Sequence, residues 1–281
     1  MRRGFPLNRD TRLLGLFLLV IGLLFVVSTS HADEQAGRKW PAPQRVSYDR
    51  IDHSLFNDLL RKYVDQNGLV NYAAWHVSNN DRKLLQSYLA ELGKADVHQP
   101  STKQSEIAYW INAYNALTLE GILRVYPTTS IRNHTSKIFG YNIWKNLKLM
   151  SGDQWVSLDH IEHQILRKQS EPRIHFAIVC AAVGCPRLLN EAYAGTKLEQ
   201  QLKANSQDFF SRQQNLRIDE KKKAIYLSQI LSWFGADFGE TQIDQLESIV
   251  PYFPKNVQQR VREGGYRIEF SNYDWSLNSQ K

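Results

Sequence analysis

Residues 107–126 read IAYWINAYNALTLEGILRVY. Apolar side chains occupy nearly every turn of this stretch, which predicts a long helix that begins near residue 103 and ends before Pro127. A helix that is apolar almost all round belongs in the centre of a domain. Glu120 and Arg124, four residues apart, form the narrow polar face that we expect to reach solvent. The other elements should therefore pack around this helix.

Two amides, Asn112 and Asn115, lie on the apolar part of the same helix, three residues apart. A buried amide without partners costs about 1–3 kcal/mol, so each should have defined hydrogen bonds. In one interpretation, both amides hold the backbone of neighbouring loops. In the other, one of them orients a ligand or donates to a developing oxyanion.

The rest of the chain alternates between helical and extended patterns. Further helices are predicted at about residues 52–66, 81–92, 159–168 and 198–211, with three short ones after residue 228. Extended patterns predict a short strand at 69–72, hairpins at 147–158 and 216–228, and a terminal strand near 266–270.

Residues 173–180, RIHFAIVC, contain few polar positions and predict a central strand covered on both faces. Together these elements predict an α+β fold, a single globular domain in which a small, mostly antiparallel sheet packs with several helices. A papain- or transglutaminase-like arrangement is compatible with this mixture at the level of fold analogy.

The first 32 residues have the features of a secretory signal: an arginine-rich start, an apolar run at 13–27, and a small-x-small site that ends at Ala32. A retained anchor is the alternative, although a spanning helix needs about 20 apolar residues. We expect cleavage near Ala32, a linker at residues 33–46, and one domain at 47–281. That domain should be periplasmic or secreted, and should not span a membrane.

The charge of the chain argues against nucleic acid as a partner. The net charge of +7 falls to +4 when residues 1–32, with their four Arg and one Asp, are removed. No nucleic-acid-binding motif accompanies this modest charge. A chain of this length can also bury a core without disulfides. Cys180 and Cys185 are then expected to form a local disulfide or a pair of unreactive thiols.

Glu162 interrupts an apolar helix face. The face consists of Leu158, Ile161, Ile165 and Leu166, with Ser157 as the expected N-cap. Glu162 occupies the i+4 position of that face, where a carboxylate must either pair with a cation or have a raised pKa. An ion pair with an arginine such as Arg173 is the structural alternative to a functional role.

His175 lies inside the predicted strand, and Cys180 lies at its end. Regular alternation would put these two side chains on opposite faces of the sheet. A dyad of Cys180 with His175 therefore requires the chain to bend, whereas a dyad with His163 does not. The structural alternative for His175 is a core histidine with its hydrogen bonds satisfied.

Three motifs resemble a known family. They are IAYWINAYNALTL at 107–119, IEHQILR at 161–167 and HFAIVCAAVGCPRL at 175–188. Their order is similar to that in the domain of unknown function 547 family of bacterial and plant proteins. The resemblance covers residues 103–210, with a weaker match, ILSWFGADF, that extends the family core to 238. Because the family is uncharacterised, the resemblance implies membership but no activity.

Three classes of function fit these observations. The first is a non-catalytic cell-envelope protein that binds a peptide or a glycan without a cofactor, for which the seven tryptophans supply contact surface. The second is a thiol-dependent hydrolase or acyltransferase, in which Cys180 is the nucleophile. In that enzyme His163 or His175 acts as the base, Glu162 orients the histidine, and Asn115 or Asn112 donates to the oxyanion.

The third class is a zinc or redox site at the cysteines. Zinc would be bound by His175, Cys180 and Cys185, with His163 as a possible fourth ligand. A redox pair is the alternative to zinc, although C-x4-C lacks the two-residue spacing of thioredoxin-like motifs. A disulfide between Cys180 and Cys185 would remove the thiol that the hydrolase requires.

Overall fold

A computed structural model describes residues 34–136 and 141–281 of the chain. The predicted secretory signal, residues 1–32, lies outside the described residues. The fold is α+β, with two three-stranded sheets among many helices. No described helix combines the length and the apolar character needed to cross a bilayer.

The predicted central helix is α4, Lys103–Val125. Thr102 caps it by accepting a hydrogen bond from the backbone N–H of Ser105, and Pro127 follows closely after its end. The prediction that Glu120 lies on a solvent-exposed polar face of this helix is wrong, because Glu120 is 0% exposed. Its Oε1 accepts a 2.7 Å bond from Nε of Arg124, so the pair is buried at its acidic end. The helix is therefore buried on all sides from Ile107 to Leu123.

Three shorter helices of the first half pack against α4 or one another largely through aromatic side chains: α1 (Ser54–Tyr63), α2 (Tyr72–Val77) and α3 (Asn79–Leu92). A fourth, α5 (Ile143–Asn146), lays Ile143 against Gly121 of α4. Phe56 stacks on Tyr88 at 4.8 Å, and Tyr63 stacks on Trp75 at 4.6 Å. In place of the strand predicted at 69–72 there are two isolated bridges of Val70, to Val64 and to Ser279, before α2 begins.

The first sheet joins the amino-terminal segment to a hairpin. It consists of β1 (Gln35–Ala36), β2 (Lys148–Ser151) and β3 (Gln154–Ser157). β2 and β3 are antiparallel, and β1 adds in parallel to β2. Residues 34–46 are thus part of the fold and not the linker that their composition predicted. Trp40 also anchors this segment by donating to the carbonyl of Ala90 over 2.6 Å.

The second sheet belongs to a smaller core in the carboxyl-terminal half. It consists of β4 (Leu216–Asp219), β5 (Ala224–Leu227) and β6 (Arg267–Phe270), with β5 antiparallel to β4 and parallel to β6. The helices of this half are α7 (Leu198–Ser211), α8 (Gln229–Trp233), α9 (Gln242–Ile249) and α10 (Lys255–Glu263). The single, mostly antiparallel sheet of our prediction is therefore two sheets of mixed direction.

The strand predicted at 173–180 is wrong. Pro172–Phe176 forms a 3-10 turn, and the chain then runs through the interior without a neighbouring strand. Side-chain amides satisfy its backbone instead. Asn115 donates to the carbonyl of Ala177 over 3.0 Å and accepts from the N–H of Val179 over 2.9 Å. An apolar run can thus be buried as a loop when neighbouring helices supply the missing hydrogen bonds.

Candidate functional site

A cavity of about 300 Å³ opens where the two cores meet. Tyr273 packs against both cores and forms part of its wall. Beside Tyr273 and a largely aromatic wall, the lining includes six further side chains with polar or sulfur atoms. These polar groups are Tyr114, Glu162, His163, His175, Cys180 and Cys185.

The carboxyl-terminal tail closes one side of the cavity. The N–H groups of Val183 and Gly184 donate over 2.8 Å to carbonyls at 276 and 274, and the N–H of Asn278 donates over 3.1 Å to the carbonyl of Ala181. These bonds fix the short loop between the two cysteines against the tail. They also bring Tyr273, which precedes the paired segment, to the sulfur atoms, and Trp275 to the wall of the cavity.

Cys180 and Cys185 form a disulfide, with their Cα atoms 6.4 Å apart. Cys180 is partly exposed, whereas Cys185 is 4% exposed. The backbone N–H of Cys180 donates to Sγ of Cys185 over 3.0 Å. The hydroxyl of Tyr273 lies 2.9 Å from Sγ of Cys185 and 3.2 Å from Sγ of Cys180. The buried sulfur therefore has two hydrogen-bond donors within reach.

Glu162 lies in a single π turn, Ile161–Ile165, which follows the short helix α6 (Leu158–His160). Ser157 caps this helix as predicted, by accepting from the N–H of His160. Such π turns are common at functional sites because they displace one side chain from the helical register. Here the displaced turn carries Glu162 into the wall of the cavity.

Burial raises the pKa of the Glu162 carboxyl, and electrostatic attraction to the nearby basic side chains of His163 and Arg167, together with a hydrogen bond from Tyr114, opposes this effect. The structural alternative of an ion pair with Arg173 is wrong, because Arg173 binds Glu171 and Glu199 at 2.6 and 2.7 Å. Within the described part of the chain, no cationic side chain forms an ion pair with Glu162. Its carboxylate is therefore mostly buried and makes no direct ion pair, and the charge of Arg167 acts on it only from a distance.

A second carboxylate, Asp237, organises the basic residues beside the cavity. Arg167 donates to both of its oxygens, at 2.6 and 2.7 Å, and Nε2 of His175 donates to it over 2.7 Å. Burial would raise the pKa of Asp237, but these bonds lower it. Burial lowers the pKa of His175, which therefore stays neutral at neutral pH. Arg167 also lies 3.2 Å from Nδ1 of His163.

The aromatic wall is formed mainly by residues of α8 and the tail. The ring centroids of Trp233 and Tyr273 are 4.9 Å apart, and those of Tyr273 and Trp275 are 4.6 Å apart. Trp144 and Phe234 extend this wall, and Phe234 stacks on His175 at 4.3 Å. Trp233 is 45% exposed, so the wall is open to solvent at one edge.

Residues 98–210 match the family described as Protein of unknown function, DUF547. The chain resembles this family. No curated protein and no solved structure shows a significant match. The segment similar to DUF547 contains Glu162 and both cysteines, but ends before Asp237 and Tyr273.

The two amides of the DUF547-like segment have structural partners. Asn112 donates to the carbonyl of Tyr193 over 2.8 Å and accepts from its N–H over 2.9 Å, as Asn115 does with the loop at 177–179. Both amides are almost fully buried. Their hydrogen bonds match the first interpretation, in which they hold loop backbone.

The catalytic roles assigned to Cys180, His163 and His175 stay predictions. With its sulfur bonded to Cys185, Cys180 has no thiolate in this structure, so a nucleophilic role requires prior reduction. Nε2 of His175 is occupied by Asp237. No group of three or more His, Cys, Asp or Glu side chains in residues 34–136 and 141–281 is arranged to hold a metal.

Three residues of the site were missed from the sequence: Tyr114, Asp237 and Tyr273. Asp237 lies in the weaker motif ILSWFGADF, whose one acidic residue was a usable signal. Tyr114 is one of several aromatic residues on an apolar helix, and only its contact with Glu162 distinguishes it. Tyr273 lies in a tail without periodicity, so no local pattern could have indicated it.

Proposed function

We propose that this domain binds a small organic cation in the cavity, as a non-catalytic binding protein. The observation that carries the proposal is Glu162, a mostly buried carboxyl with a raised pKa and with no ion pair among the described residues. A buried carboxylate is unfavourable without a positive partner. A ligand that brings an ammonium group into the cavity would supply that partner.

The aromatic wall supports the same ligand class. Ammonium groups bind over the faces of Trp and Tyr, with a gain of about 2 kcal/mol or more when the site is desolvated. Trp233, Tyr273 and Trp275 present such faces in one cluster. The other charges that line the cavity, Lys145 and Asp159, are of opposite sign and are exposed or half exposed, so solvent screens them.

The size of the cavity fits a small group. About 300 Å³ lies at the lower end of the range for small-molecule sites. The amino terminus of a peptide and the amine of an amino sugar both present the required charge. The envelope peptide or glycan considered from the sequence can therefore be the natural source of the group.

Choline and its uncharged tert-butyl isostere form a matched pair of probes. Binding can be followed by the fluorescence of the tryptophans that line the cavity and by calorimetry. We expect the isostere to bind about tenfold more weakly or worse, because it keeps the shape of choline and loses its charge. Glucosamine and glycinamide, compared with glucose and acetamide, test which natural source is preferred.

Glu162→Gln should lower the affinity for choline about tenfold, because it removes the charge and keeps the shape. Asp159→Asn is the control, because this carboxylate lines the same cavity but its side chain is 45% exposed. We expect it to change the affinity by about twofold or less. Equal binding of choline and its isostere, or no binding of any amine, would overturn the proposal.

We also propose that the domain works outside the cytoplasm. The disulfide supports this location, because disulfides persist in oxidising compartments. A fusion of residues 1–46 to alkaline phosphatase should be active only if the segment directs export. An inactive but intact fusion would argue for a cytoplasmic domain.

A further inference from the structure

We infer that Cys180 and Cys185 carry out thiol–disulfide exchange with a small-molecule thiol that enters the cavity. This activity goes beyond cation binding at the same cavity. It rests on the proposed function only in requiring that small molecules reach the cavity from solvent. It does not require that the thiol carry a positively charged group.

A purely structural role explains this disulfide poorly. The bond joins residues only 5 apart in sequence, and the closure of so short a loop restricts the unfolded chain little. The loop is already held by its backbone bonds to residues 274–278. A chain of this length also has a core large enough to fold without cross-links. The position of the disulfide in the wall of a cavity therefore calls for another explanation.

The two sulfur atoms differ in access. Both line the cavity, but Cys180 is partly exposed and Cys185 is 4% exposed. An incoming thiolate therefore meets Sγ of Cys180 first. The backbone at the next residue, Ala181, has φ +57°, a left-handed conformation that non-glycine residues seldom adopt. Such strained residues are concentrated at functional sites.

The environment of Sγ of Cys185 favours its role as the leaving group. Sγ of Cys185 can accept hydrogen bonds from the N–H of Cys180 at 3.0 Å and from the hydroxyl of Tyr273 at 2.9 Å. Burial raises the pKa of Tyr273, so this hydroxyl keeps its hydrogen throughout the range in which thiols ionise. Hydrogen bonds of this kind stabilise a thiolate, and a more stable thiolate is a better leaving group.

The exchange balances with two thiols and no other reactant. A thiolate RS⁻, whose proton has gone to solvent, attacks Sγ of Cys180. An RS–S bond forms, the bond between the cysteines breaks, and Cys185 leaves as a thiolate. A second RS⁻ attacks the sulfur of the bound RS group, which releases RSSR and the Cys180 thiolate. Both cysteine thiolates can then take protons from solvent. Two electrons pass from the thiols to the protein, and the reverse reaction oxidises thiols.

The test uses the full oxidised chain in native buffer with β-mercaptoethanol, followed by acid quenching, alkylation and mass spectrometry. We expect reduction to be faster than unfolding, which is measured in parallel. Tyr273→Phe should slow reduction about tenfold, because it removes one donor to the leaving sulfur. Tyr266→Phe is the control, because the hydroxyl of Tyr266 binds Glu220 in an exposed position. It should leave the rate unchanged.

Single-cysteine variants test the direction of attack. With the disulfide of β-mercaptoethanol as reagent, Cys185→Ser should form an adduct on Cys180. Cys180→Ser should react at a rate lower by about tenfold or more, because its remaining cysteine, Cys185, is buried. Reduction of the folded chain only at its unfolding rate, or equal reactivity of the two single cysteines, would overturn the inference.

Choline titration of the same samples separates this inference from the proposed function. An inert disulfide in a chain that binds choline overturns the exchange activity alone. A reactive disulfide in a chain that binds no amine overturns the cation proposal alone.

Discussion

Tyr114 donates its phenolic hydrogen to Oε2 of Glu162 over 3.1 Å. Tyr114 is 2% exposed, and burial together with the negative charge of Glu162 raises its pKa well above 10.0. The hydroxyl therefore remains a donor at every pH at which Glu162 ionises. Tyr114, which projects from the central helix and lines the cavity, thus orients the carboxyl of Glu162 through one hydrogen bond.

Glu162→Gln should change how stability depends on pH. The pKa of Glu162 is raised above 4.5 in the folded chain, so its contribution is complete below that value and is lost as pH rises through the folded pKa. The glutamine variant has no such loss. Urea unfolding at a series of pH values should show its stability gaining on the wild type across this window. Parallel stability curves would show that the carboxyl is not destabilised by burial.

Tyr114→Phe should shift the pH dependence of choline binding. The hydrogen bond from Tyr114 lowers the pKa of Glu162, so its removal raises that pKa further. Because choline requires the ionised carboxylate, the midpoint of its affinity should move to higher pH. The measurement is a set of fluorescence titrations across pH, with Tyr266→Phe, whose hydroxyl binds the exposed Glu220, as a variant whose midpoint stays in place. An unchanged midpoint in Tyr114→Phe would assign the titration to another group.

Asn115→Ala should lower the free energy of unfolding by about 3 kcal/mol. The substitution leaves the carbonyl of Ala177 and the N–H of Val179 buried without partners. The exposed Asn256 on α10 is the matched control, where alanine should cost about 0.5 kcal/mol or less. Urea denaturation measures both. A loss of similar size at the two positions would show that water replaces the Asn115 bonds.

Asp237→Asn should cost about 2 kcal/mol at neutral pH, because Arg167 and His175 lose a charged partner. The pKa of Asp237 lies below its ordinary 3.8, so its stabilisation is present above that value and is lost as pH falls through the lowered pKa. The gap between variant and wild type should therefore close in acid. Thermal unfolding at neutral and acid pH measures it, and a constant gap would mean that the charge of Asp237 is unimportant.

The long helices could be predicted because their pattern is local. The boundaries of α4 and α7 follow from apolar periodicity, a capping Thr102 and a following Pro127. The prediction of a strand at 173–180 was wrong, because a continuous apolar run indicates that a segment is buried but not which groups form hydrogen bonds with its backbone. The partners are amides on helices far away in sequence. The one indication in the sequence was the presence of Asn112 and Asn115 on an apolar helix, because buried amides need hydrogen-bond partners such as loop backbone.

The candidate site was predictable only where a residue contradicted its own pattern. Glu162 was found because a carboxylate interrupts an apolar face, and it does lie in the same cavity as Cys180. Glu120 misled because an i,i+4 pair with Arg124 has the same spacing whether it is buried or exposed. Tyr273 reaches the sulfurs from 88 residues beyond Cys185, and only tertiary structure makes that contact.

Side-chain amides, and not neighbouring strands, hold the chain on both sides of the cysteine loop. Asn115 holds the chain at 177–179, and Asn205 of α7 holds it again at the carbonyl of Arg187, 3.2 Å away. In a sheet, one inserted residue would turn every following side chain to the opposite face. Where only amides hold the chain, its length can change without that penalty. The segment from 181 to 184 is in addition bonded to residues 274–278, so a different reactive loop could be grafted on this helical frame only if it kept its register with the carboxyl-terminal tail.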